Sequence, residues 1–166
     1  MTAVNNEPPA DPVLERVKTG VEAFDDLVMG GLPRGRTTIV GGTPGSGKTV
    51  FATQFLAHGI TELDEPGVFV TFEESPEEIE VNMASFGWDI RRWKNVAKLA
   101  FVDASPRDSD QIVVGDFDLA GLLARILHAA RSAKAKRIVL DSITQLFDHF
   151  IADQALVRRE LLRIAT

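Results

Sequence analysis

The chain has 166 residues, 45% of them apolar and 25% charged, a composition that suits one globular domain able to bury its own core. Its formal net charge of −6 argues against coating nucleic acid or anionic membrane through bulk charge, and its lack of cysteine excludes disulfides, thiolate metal sites and a cysteine nucleophile. No apolar run reaches the ~18 residues that a membrane-spanning helix needs, so the expectation is a soluble, cytoplasmic protein.

Residues 1–12 (MTAVNNEPPADP) are polar and contain three prolines, so they read as a disordered tail and not as a signal peptide. The domain is taken as residues 13–166. Val21, Phe24, Leu27 and Val28 fall at helical spacing. Gly30–Gly35 (GGLPRG) then breaks the chain. Thr37–Val40 is β-branched and reads as a short buried strand. A glycine-rich loop follows, and residues 48–63 read as a helix. Gly67–Phe72 (GVFVTF) is a second strand. Ser75-Pro76 is an N-cap followed by a helix-starting proline, opening a helix over 77–86. Leu99–Val102 is a third strand. Leu119, Leu122, Leu123, Ile126, Leu127 and Ala130 form one apolar stripe on a helix over 119–133. Arg137–Asp141 (RIVLD) is a fourth strand, and a last helix is expected over 155–165. Strand and helix alternate, which predicts an α/β fold with a mainly parallel sheet and helices on both faces. Ligands on such sheets bind at the carboxyl ends of the strands.

The sharpest motif is Gly42-Thr43-Pro44-Gly45-Ser46-Gly47-Lys48-Thr49, which matches G-x-x-x-x-G-K-[ST] between a strand and a helix. Glycines let successive backbone N–H groups turn inward around a phosphate, and the helix that follows adds the positive end of its dipole. Lys48 would reach the terminal phosphates, and the Thr49 hydroxyl would bind Mg²⁺. A plain glycine turn explains the glycines but not the Lys-Thr pair.

A metal-bound phosphate also needs a carboxylate. Asp141 ends an apolar strand, where it either binds the metal or caps a helix. Ser142 follows it, positioned for the metal's water, for the terminal phosphate or for capping. Glu73 and Glu74 end the GVFVTF strand, placed to orient an attacking water. Two adjacent acids point in different directions, so the expectation is that one faces the water and the other the metal's hydration shell. Burial beside a like charge would favour the protonated form, which suits a base. The opposing reading is a pair of surface acids. The other acids between Lys48 and Arg91 read as a solvated acidic face. His58, His128 and His149 are isolated and read as structural or solvent-facing. Phe86, Trp88 and Trp93 either pack in the core or line a pocket beside an adenine.

These segments together resemble the RecA-like P-loop ATPases and, among them, the KaiC family, through its N-terminal lobe. The resemblance is carried by GVEAFDD at Gly20–Asp26, GGLPRG, the phosphate loop and DEPGVFVTFEES at Asp64–Ser75. SFGWD at Ser85–Asp89, DASP at Asp103–Pro106, VVGDFDL at Val113–Leu119, RIVLDS at Arg137–Ser142 and VRREL at Val157–Leu161 continue it. It implies ATP hydrolysis with Mg²⁺ in a ring-shaped homo-hexamer, with nucleotide between neighbouring subunits. It marks Glu73 and Glu74 as paired catalytic glutamates, and Gly45, Ser46, Gly47, Lys48, Thr49 and Val50 as phosphate-loop contacts. It also marks Thr49 as a Mg²⁺ ligand, Ser85 as a nucleotide contact and Asp141 as the Walker B aspartate. Family members autophosphorylate on serine and threonine in a second lobe and bind KaiA-like and KaiB-like partners in circadian timing.

One departure is expected. The chain stops at Thr166 inside a helix pattern (ELLRIAT), before the further strands and the neighbour-facing Lys and Arg of a complete lobe. The domain therefore reads as truncated, without the cations whose loss can cost 10³–10⁵ in turnover. Two competing readings remain: a RecA-like ATPase that handles DNA, and a catalytically weak nucleotide-binding assembly module. The acidic charge and the lack of a basic stripe with interleaved aromatics stand against nucleic acid.

Overall fold

The computed structural model describes residues 14–105 and 119–143. The expected tail over 1–12, most of the Val113–Leu119 motif, the helix over 155–165 with its VRREL segment, and His149 lie outside the described residues.

Among the described residues, eleven regular elements follow in chain order. They are β1 (Arg16–Val17), α1 (Glu22–Leu27), β2 (Leu32–Pro33), α2 (Lys48–Glu62), β3 (Gly67–Thr71) and α3 (Pro76–Met83). A 3₁₀ turn at Ala84–Phe86, α4 (Ile90–Asn95), β4 (Leu99–Asp103), α5 (Leu119–Ala133) and β5 (Arg137–Asp141) complete them. β1 and β2 pair antiparallel in a small ribbon, and β3 lies between β4 and β5 in a parallel sheet.

Period-two alternation along the strands divides the core between two faces. Val68 and Val70 of β3 join Val102, Ala104 and the α5 residues Leu122, Leu123 and Ile126 on one side. Phe69 joins Leu99, with Leu56 and Ile60 of α2, Ile79 and Met83 of α3, and Ile90 and Trp93 of α4, on the other. Phe69 and Phe101 are register partners whose rings stack 5.5 Å apart. The chain runs from β3 to β4 on one side of the sheet, then crosses back over β3 to β5 through α5. Right-handed connections put helices on opposite faces when the direction reverses, and the two core clusters match that rule. The α5 stripe packs as its spacing predicts: Leu122, Leu123 and Ile126 are buried, and each contributes roughly 1.5–3 kcal/mol.

Segment 37–40 departs from its expected strand. It pairs with no strand among the described residues, and Ile39 is 74% exposed. A strand is defined by its ladder, and the outer edge of β5 carries no partner among the described residues. Three elements, β1, β2 and α4, were not expected. The β1–β2 ribbon uses two-residue strands. Helix α4 is only six residues long and buries only Ile90 and Trp93.

Below the sheet, Arg137 opens β5 and is 2% exposed. Its Nε donates to Glu65 at 2.8 Å, and its Nη1 donates to the carbonyls of Lys18 and Phe55. One cation thus ties the amino-terminal segment, α2 and the turn before β3 to the sheet. A Cβ at Gly59 would lie 2.5 Å from Arg137 Nε, so that position of α2 must be glycine to admit the guanidinium.

Candidate functional site

The site forms where α2 begins and where β3 and β5 end. Gly42–Gly47 is an exposed loop with a turn in which Ser46 N–H donates to Thr43 O at 3.1 Å. Pro44 lies inside that turn. Gly45 and Gly47 have φ of 77° and 86°, in the left-handed region where other residues are strained. Nothing lies within 4 Å of a Cβ built on either, so backbone angle and not space demands glycine there. A Cβ at Gly42 would instead strike Ser46.

Gly47 caps α2 without a side chain, and the first turn of the helix holds no acid. The fifteen-residue helix therefore presents its first N–H groups and positive dipole end to the loop with no acid of its own in that turn. Lys48 folds over this loop and donates to the carbonyls of Gly42 and Thr43, each at 3.1 Å. Val50, one residue past Thr49, packs against the α2-side core.

Strand register assembles the acids. Thr71 of β3 is the partner of Asp141 of β5, and Phe72 N–H donates to Asp141 O at 2.9 Å. The two strand ends are thereby held side by side. The Thr49 hydroxyl donates to Asp141 Oδ2 at 2.6 Å, joining the loop helix to β5 across 92 residues. Asp141 therefore meets the phosphate-loop hydroxyl. The Asp141–Ser142 peptide is cis.

Glu73 and Glu74 turn apart. Ser142 Oγ donates to Glu73 Oε1 at 2.8 Å. Glu74 faces α3, where Asn82 Nδ2 donates to its Oε2 at 2.8 Å. Glu73 is exposed, so the burial expected of it is not found.

Ser85 sits on the 3₁₀ turn, with its hydroxyl 3.5 Å from Asn82 O. No described hydrogen bond brings it to the loop. The aromatics divide. Trp93 is core, whereas Phe86 is half exposed and stacks on Trp88 at 4.9 Å. The acidic stretch is also less uniform than a solvated face. Asp64 pairs with Lys98, Glu65 with Arg137 and Arg34, and Glu80 with Arg91 and Lys94. The Arg91 and Lys94 partners hold the Glu80 carboxyl below its ordinary range. Asn82 was the residue that sequence reasoning missed at the site. Its only sequence signal is a helical offset of seven from Ser75.

The donors fit a nucleotide with Mg²⁺. A hydroxyl and a carboxylate oxygen converge at Thr49 and Asp141, and such hard oxygens suit Mg²⁺, which takes few protein ligands beside phosphate oxygens. No cluster of three or more His, Cys, Asp or Glu exists among the described residues for an all-protein metal cage.

A parallel sheet that carries this loop at a helix start, with a strand-end aspartate bonded to the loop's threonine, defines a P-loop nucleotide-binding ATPase domain. A family model described as "ATPase: KaiC" matches residues 17–166, and the chain belongs to the KaiC ATPase family. It is 52% identical over 151 residues to the circadian clock oscillator protein KaiC of Prochlorococcus marinus subsp. pastoris, covering 91% of this chain and 30% of that protein. It is 53% identical over 154 residues to the circadian clock protein KaiC3 of Synechocystis sp., covering 92% and 30%. It is 48% identical over 164 residues to KaiC of Synechococcus elongatus, covering 99% and 31%. The chain thus spans about 30% of the length of the relatives it matches. No helix among the described residues is long and apolar enough to cross a membrane.

Proposed function

We propose that the chain binds ATP with Mg²⁺ and hydrolyses it at the loop–strand junction. The observation that carries this is the 2.6 Å bond from Thr49 to Asp141, which brings the two metal-binding groups of such sites together. In this reading the N–H groups of Gly45–Val50 cradle the phosphates, with Gly42, Thr43 and Pro44 shaping the loop. Lys48 exchanges the Gly42 and Thr43 carbonyls for phosphate oxygens. Thr49 and Asp141 hold Mg²⁺, which when bound offsets phosphate charge. Glu73 and Glu74 orient water at the terminal phosphate. The water oxygen bonds to that phosphorus as the bond to the bridging oxygen breaks, giving ADP and inorganic phosphate, and the water's proton leaves to solvent. Ser85 contacts the nucleotide.

The similarity to clock proteins supports the rest of the proposal. Residues 13–166 form an ATPase domain that assembles with copies of itself in a homo-hexamer, operates in the cytoplasm and couples nucleotide state to KaiB-like or KaiA-like partners. In a longer protein it would accompany serine/threonine autokinase activity and circadian timing. The test is to measure assembly mass and phosphate release together, with and without ATP. Release that rises with ATP supports an enzyme. ATP-dependent mass without release leaves a binding module instead.

A further inference from the structure

Glu74 is held at two points, and one holder is a side chain that the hydrolytic reading does not otherwise use. Thr71 is 1% exposed, and its hydroxyl donates to the Glu74 carbonyl at 2.5 Å, which fixes the turn after β3. The carboxylate then reaches α3, where Asn82 Nδ2 donates to Oε2 at 2.8 Å. Helix α3 is a firm platform for that contact. Ser75 and Glu78 close a capping box at its start, Pro76 occupies its first turn, and Ile79 and Met83 anchor it in the core. Ser75, Glu78 and Asn82 recur at offsets of three and four, so they share one helix face toward the end of β3.

We propose that Asn82 is a positioning residue that acts through Glu74; the proposal rests on the hydrolytic reading above. A bond from an amide to a carboxylate is charge-assisted and fixes the plane of the carboxylate. It engages Oε2 and leaves Oε1 without a protein donor among the described residues, as the acceptor for water. Glu73 is oriented separately by Ser142, the residue that follows β5. The two acids are therefore set by different elements, Glu73 by the sheet and Glu74 by α3. A shift of α3 would reorient Glu74 alone.

The test uses the full chain and its N82A, E74Q and N82A/E74Q variants, with kcat and KM read from phosphate release. Asn82 is exposed, so N82A should melt with the parent protein. The role predicts a kcat about tenfold lower in N82A, KM within about twofold, and no further loss when N82A is added to E74Q. An unchanged kcat in N82A overturns it, as does an equal loss in the E74Q background or a rise in KM alone. A parent chain that releases no phosphate overturns the hydrolytic reading and this role together. A parent that turns over beside an unaffected N82A overturns this role only.

Discussion

Thr49 and Asp141 stand 92 residues apart in the chain and are joined by a 2.6 Å hydrogen bond from hydroxyl to carboxylate. If this pair holds Mg²⁺, T49A and D141N should each weaken ATP binding by about tenfold or more when Mg²⁺ is present, and little when it is chelated. T49S keeps the hydroxyl and should behave as the parent. Calorimetric titration with and without Mg²⁺ checks this, and equal metal dependence in all variants would contradict it.

Lys48 makes two exposed bonds to its own loop, so it contributes little to folding. K48A should melt within about 0.5 kcal/mol of the parent yet bind ATP on the order of 100-fold more weakly. G47A should differ in kind. Its φ of 86° strains an alanine by roughly 1–2 kcal/mol although no atom blocks the Cβ. Thermal melts and nucleotide titrations separate the two effects.

Arg137 carries the structural load at the opposite end of the strands. R137M leaves Glu65 without its closest partner and frees two backbone carbonyls, so it should cost ~3–5 kcal/mol. G59A should destabilise by pressing on the same guanidinium, and its cost should shrink in the R137M background. Denaturant unfolding of the four proteins tests the coupling.

Acid should loosen α3 through its cap. The Ser75 backbone N–H and then its hydroxyl hold the Glu78 carboxyl below the ordinary value of 4.5. A folded value depressed below the unfolded one stabilises the helix above pH 4.5 and loses that contribution as pH falls through the folded value. Amide exchange at α3 should therefore rise in acid. S75A removes the hydroxyl but keeps the backbone N–H, so it should lessen that pH dependence only in part.

What the sequence made legible was local chemistry. The N-cap at Ser75, the 119–133 helix and the glycine loop each depend on residues within one or two turns, and each occurs where the pattern placed it. The burial of Arg137 was not legible, because an arginine at a strand start reads as surface until Glu65 and two distant carbonyls close around it. Helix α4 carries too few apolar residues for a periodic signal. The strand character of segment 37–40 depended on a neighbour that local propensity cannot supply. Within the site, the positions of Asp141, Glu73 and Glu74 were readable from strand ends. Which way each acid turns depended on Thr49, Ser142 and Asn82, all set by tertiary packing.

Phosphate release from ATP by the parent chain and by the E73Q/E74Q variant tests the central claim most directly. The account predicts Mg²⁺-dependent release by the parent that falls on the order of 100-fold or more in the double variant, with ATP still bound. Release that is unchanged by the double substitution would contradict it.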